Sequence, residues 1–260
     1  MTKNNELVGS MPLKETLKRT FSYVWNDKSK LLNVAIITVV LSLIMLALQY
    51  VNLCSTPAYN EKWHDGLMTV IFNLINISII ICYCRQILQK DKLSLKSKAF
   101  IKSVVFYVLT VFALSIVVMV PILMVAVLLG LLGVDLGVAS VILIGVLLAV
   151  LIYTAPLLLV FPAIAVEDKT FLSIKKLFSL TSGSYNKMFW GLFLSTLPVG
   201  ILMGIIAIVY MQIFGVDSLQ DSVFIQICGI VAQLINSYIK GSYYSHIYQY
   251  FKFVDKKKKA

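Results

Sequence analysis

Residues 155–190 read APLLLVFPAIAVEDKTFLSIKKLFSLTSGSYNKMFW, and the order of their parts decides the fold. An apolar run carries Pro156 and Pro162 and ends at the acidic pair Glu167 and Asp168. A short basic amphipathic segment follows, then the small-residue turn Ser182, Gly183 and Ser184, and a second apolar run opens at Met188. A chain that leaves a bilayer, lies along its surface and crosses again has this layout.

Composition points the same way. Of 260 residues, 59% are hydrophobic and 13% charged, and the formal net charge is +11. A soluble domain carries about 25% charged residues; a chain whose solvent is lipid does not need that coat. The positive balance suggests an anionic membrane surface as partner, not nucleic acid, because the lysines border apolar runs instead of lining a soluble basic face. Cys54, Cys82, Cys84 and Cys228 form no disulfide framework, and Cys82 and Cys84 have no histidine or second cysteine pair near them, so they read as small buried apolar residues.

Outward from this stretch, the same arrangement recurs on both sides. Residues 1–30 form an N-terminal arm in which Leu13, Leu17, Phe21, Val24 and Trp25 recur at helical spacing while Lys14, Lys18 and Arg19 lie off the stripe. Pro12 falls in the first turn of this interfacial helix. No signal peptide is expected, because the next apolar run is long, lies far from the N-terminus and ends without a small-residue cleavage site. Spans are expected at about 31–53, 67–84, 103–133, 136–166, 188–214 and 223–239, the last helix continuing towards 251. Together they make a transmembrane domain over 31–251, followed by a lysine-rich tail at 252–260. Pro121 is expected to kink the third span, and Pro156 and Pro162 to break or bend the fourth at its exit. Further basic amphipathic segments lie at 90–102, with Lys96 and Lys98, and at 169–181, with Lys175 and Lys176; Lys187 stands before the fifth span.

Charge sets the topology. Every lysine and arginine except Lys62 falls on the arm, the two basic links or the C-terminal end. The turns holding Glu61, Asp65, Asp135, Asp217 and Asp221 carry almost none. By the positive-inside rule both termini are cytoplasmic, which demands an even number of spans. Basic segment, span, short turn and span recur near Pro12, Lys92 and Thr170, a period of close to 80 residues. The expected fold is therefore all-α: a polytopic membrane protein of six transmembrane helices, arranged as three pseudo-repeated hairpins with cytoplasmic interfacial helices.

Polar residues inside the spans are few. Asn73 and Asn76 share a face three residues apart. Gln226, Gly229, Gln233, Asn236, Ser237 and Lys240 follow steps of three or four and form one stripe that must face protein or water. These residues read as hydrogen-bonding glue between helices or as the lining of a pathway. Gly200 and Gly204 have the spacing of a close helix crossing.

Residues 155–190 resemble the signature of the YciC-like bacterial membrane proteins and the related membrane domain of glycerophosphoryl diester phosphodiesterases. The matching positions are Ser173, Ile174, Lys175, Lys176, Leu177, Phe178, Leu180 and Gly183. Lysines stand where the family has arginines, Phe178 where it has tryptophan, and Leu177 where it has serine. The resemblance implies six spans, a bacterial cytoplasmic membrane and no defined activity. The soluble catalytic barrel of some fused members has no counterpart in this sequence, so its activity is not carried over.

No catalytic or metal-binding motif accompanies this pattern. His64 and His246 fall on opposite sides by the charge topology, and there is no paired-carboxylate, zinc-protease, phosphate-loop or serine-hydrolase motif. The six core runs hold no Asp, Glu, Lys, Arg or His, which argues against a proton-driven pump. The expectation is a non-enzymatic protein without cofactor, acting in envelope or lipid homeostasis through anionic lipids, with a membrane-protein partner or a second copy also open. Lys14, Lys18, Arg19, Lys96, Lys98, Lys175, Lys176 and Lys187 would touch the membrane. The alternative is a passive transporter or channel for a lipid-like or small neutral solute, lined by Asn73, Asn76, Gln226, Gln233 and Asn236.

Overall fold

The computed structural model describes residues 11–26, 36, 40, 61–89, 98–167, 174–214 and 223–259. Helices joined by short turns account for all of them, and no strand occurs among the described residues. The helices are α1 (Leu13–Asn26), α2 (Glu61–Gln89), α3 (Lys98–Leu131), α4 (Leu136–Thr154), α5 (Val160–Glu167), α6 (Ile174–Thr181), α7 (Tyr185–Phe214) and α8 (Val223–Lys259). A 3-10 segment, Ala155–Leu159, joins α4 to α5.

Among the described residues, three runs are long and apolar enough to cross a membrane: Ile101–Leu131, Leu136–Val166 and Tyr185–Phe214. None of the most apolar window of the first two is buried inside the protein. Leu131 and Leu136 are 81% and 84% exposed, and large aliphatic side chains stay open along both helices. Surface of that kind and extent needs an apolar solvent. The expected span 31–53 lies outside the described residues apart from Ile36 and Val40, which are helical and exposed. The links 90–97, 168–173 and 215–222 also lie outside them.

The turn between α3 and α4 follows from local chemistry. Gly133 takes φ 64° just past α3, where the Gly133 and Val134 amides donate to the Gly130 and Leu129 carbonyls. Glycine fits this left-handed position because it has no Cβ. Asp135 then caps α4, its Oδ1 accepting from the Gly137 and Val138 amides at 2.8 and 3.4 Å. Chain reversal is complete within four residues, and α3 packs along α4.

Pro121 sits inside a continuous α3. Pro156 and Pro162 fall at the start of the 3-10 segment and in the first turn of α5, where a missing N–H costs little. The chain tightens to 3-10 there instead of ending. Pro12 immediately precedes α1, its carbonyl accepting from the Thr16 amide at 3.0 Å. Two further boundaries differ from the expected ones. Helix α2 begins at Glu61, inside the expected outward loop. The lysine tail continues α8 to Lys259.

The packed core sits at one end of the bundle. It joins the end of α2 (Ile80, Ile81, Cys84), residues 155–165, Met188 of α7 and the aromatic face of α8 (Tyr243, Tyr244, Ile247, Tyr248, Phe251). Helix α5 lies among α2, α3 and α8, and α1 lies across α7 and α8. Buried hydroxyls tie these pieces together. Ser103 donates to the Ile164 carbonyl at 3.2 Å, one of the four C-terminal carbonyls of α5 with no intrahelical partner. The Met11 amide donates to Ser184 Oγ at 3.2 Å, and Ser242 donates to the Thr20 carbonyl at 3.2 Å. The start of α7 and the Ser242 region of α8 together hold the N-terminal arm.

Candidate functional site

A groove of about 890 Å³ opens between α2, α3, α7 and α8. Its polar wall is built by two helices. Helix α2 brings Asn73 and Asn76, and α8 brings Gly229, Gln233, Asn236, Ser237 and Lys240 at steps of three and four. Apolar lining comes from Tyr107, Val111 and Phe112 on α3, from Val199 and Met203 on α7 and from Leu74 and Ile77 on α2 itself, and Ser115 adds a hydroxyl on α3.

Part of the polar wall is glue. The Ser237 hydroxyl has two acceptors within reach, Asn76 Oδ1 at 3.1 Å and the Gln233 carbonyl at 3.0 Å. Ser237 and Asn76 are both buried, so this pair joins α8 to α2 inside the bundle. Another part is not glue. Asn236 Oδ1 is buried and has no hydrogen-bond partner among the described residues. Lys240 is half-buried and, among the described residues, is the only charged one of the lining.

Of the expected stripe, Asn73, Asn76, Gln233 and Asn236 meet in this groove; Gln226 lies one turn beyond Gly229 and is not part of it. The α3 and α7 walls could not be read from sequence, since Val111 or Met203 looks like any other lipid-facing residue. Just past the groove, α2 and α8 cross tightly. A Cβ on Gly241 would stand 2.8 Å from Tyr83 Cβ and 3.3 Å from the Ile80 carbonyl oxygen. Gly200 and Gly204 have open space beside them, so their spacing makes no close crossing among the described residues.

A second cleft, of about 530 Å³, lies where α1 crosses α8. It is lined by Lys18, Arg19, Ser22, Tyr23 and Asn26 of α1, with Glu15, and by His246 of α8. Thr16 and Thr20 form the buried face of α1, and each hydroxyl donates to the carbonyl four residues back at 2.9 Å. Internally satisfied, these small side chains let α1 lie close on α8. Lys14, Lys18 and Arg19 therefore stay exposed, and Arg19 pairs with Glu15 at 2.5 Å. His246 was not expected here. Burial, with the Arg19 charge adding to it, holds its imidazole below the ordinary histidine range, while a Gln249 contact opposes the shift.

Of the remaining expected membrane contacts, Lys187 is half-buried in α7. Lys98, Lys175 and Lys176 lie on helices α3 and α6, and Lys96 lies outside the described residues. Phe178, next to the basic pair of α6, packs against Tyr153 and Tyr185 with ring centroids 5.4 and 5.8 Å apart. Cys84 donates to the Gly241 carbonyl at 3.6 Å. No group of three or more metal-ligating side chains comes together among the described residues.

No family model, curated protein or solved structure matches this chain.

Proposed function

We propose that this is a non-enzymatic multi-pass protein of the bacterial cytoplasmic membrane that serves envelope or lipid homeostasis by holding anionic lipid. The observation that carries this reading is the cleft at α1 and α8. There Lys18 and Arg19 stand exposed beside His246, on a helix fixed to the packed end of an otherwise lipid-facing bundle. A cationic ledge at the edge of apolar spans suits an anionic leaflet, where each lysine contributes about 1 kcal/mol.

Six spans in three hairpins, with both termini cytoplasmic, remain part of the proposal. The charge asymmetry of the sequence supports them, as does the one hairpin formed by α3 and α4. The resemblance of residues 155–190 to the YciC-like signature supports the bacterial setting.

Extraction of the protein with its surrounding lipid into copolymer discs, followed by lipid-class analysis, tests the reading. Anionic phospholipid should be enriched over the bulk membrane. The enrichment should fall toward the bulk value in a Lys14→Gln, Lys18→Gln, Arg19→Gln variant. Bulk composition around the wild-type protein would overturn it.

A further inference from the structure

We infer that the groove between α2, α3, α7 and α8 seats one acyl chain of an anionic glycerophospholipid from the cytoplasmic leaflet, with its phosphate on Lys240. The inference deepens the lipid-contact reading and rests on it, but it concerns a different site from the α1 ledge.

Length is the first argument. From Gly229 to Lys240 the α8 wall rises roughly 16 Å at about 1.5 Å per residue. The hydrocarbon core of a bilayer is about 30 Å thick, so the groove has the depth of one leaflet. A solute path would have to continue beyond Gly229 past Gln226, which the lining does not include.

Charge is the second. Lys240 stands at the end of the lining nearest the packed core, and among the described residues no carboxylate lines the groove to neutralise it. A half-buried ammonium at the membrane boundary favours an anionic partner, and basic pockets between spans are where lipid phosphates bind. The third argument is the mixture of the lining. Val111, Phe112 and Met203 offer an apolar surface to a methylene chain. On α8, Asn236 Oδ1, which has no hydrogen-bond partner among the described residues, lies one helical turn from Lys240, within reach of a free hydroxyl of a glycerol headgroup.

The test uses the full chain in detergent, stripped of lipid and then titrated with phosphatidylglycerol or phosphatidylcholine of matched chains, with bound lipid counted by native mass spectrometry. One phosphatidylglycerol should bind per chain in preference to phosphatidylcholine. Lys240→Gln should weaken it by about fivefold or more, the effect expected of one lysine at an anionic surface. Ala232→Trp, which narrows the groove without touching a charge, should weaken both lipids. Unchanged binding in Lys240→Gln, or equal binding of the two lipids, overturns the inference. Loss of binding only in Lys18→Gln with Arg19→Gln also overturns it while leaving the α1 reading intact. A second measurement is independent of whether the variants fold. Phosphatidylglycerol with a photoreactive acyl chain should label wild-type α3 around Val111 and Phe112. Labelling confined to the outward face near Met124 and Val127 would refute the seat.

Discussion

The Tyr243 hydroxyl donates to the main-chain carbonyl of Met188 over 2.8 Å, at a point where neither residue has exposed surface. This bond fixes α8 to the start of α7, directly after the Ser182–Ser184 turn. Replacing Tyr243 with Phe keeps the ring and removes the bond. The cost should be about 1 kcal/mol, the usual net value of one such hydrogen bond. Thermal unfolding in detergent should show a lower midpoint with unchanged helix content.

Gly191 and Gly241 mark the two close approaches to α8. A Cβ at Gly191 would collide with the Tyr243 hydroxyl, and one at Gly241 would meet the α2 backbone. Gly241→Val should therefore cost more than the Tyr243 change, roughly 1–3 kcal/mol or above, as overpacking does. Gly204→Ala meets nothing within 4 Å and should be neutral or slightly stabilising. Folded yield by size-exclusion chromatography separates the two classes.

Ser237 and Asn236 are neighbours with different work. Ser237→Ala removes the contact with buried Asn76 and should lower stability by about 0.6 kcal/mol, the average for such pairs between membrane helices. Asn236→Leu deletes an oxygen that has no partner, so stability should hold while phosphatidylglycerol binding falls. A drop in the unfolding midpoint for Asn236→Leu as large as for Ser237→Ala would assign both residues to glue.

Acid should destabilise the crossing of α1 on α8. His246 is held neutral by burial first and by the Arg19 guanidinium second; Lys18 and Glu15 line the same cleft. Its folded-state value lies below that of the unfolded chain. The unfolded state therefore binds more protons as pH falls through the ordinary histidine range, and stability is full above that range and lost below it. His246→Gln should reduce the drop in unfolding midpoint between about pH 7.5 and pH 5.5, a window that brackets the unperturbed value near 6.5. An equal drop in both proteins would remove His246 from the account.

Three of the expected apolar spans were legible because lipid exposure leaves a long uniform composition, as in Leu136–Val166. Asn73, Asn76, Gln233 and Asn236 were legible as one site because helical periodicity puts polar residues of one helix on one face. What stayed hidden depends on two helices at once. Tyr243, Tyr244 and Tyr248 lie beyond the expected last span, yet they are the centre of the core. In lipid, hydrophobicity no longer marks the interior, so small and hydroxylated residues do that work. Thr16 and Thr20, four apart, and Ser242 and Ser245, three apart, carried this signal, and all four are buried.

The concentration of packing at one end has a mechanical consequence. Helices α3 and α4 are rooted at Ser103, Tyr107 and Ala155, while their tips at Leu131 and Leu136 touch little else. A change in bilayer thickness will be taken up as tilt about that root. Thin membranes should splay the far ends while the base beneath α8 stays unstrained.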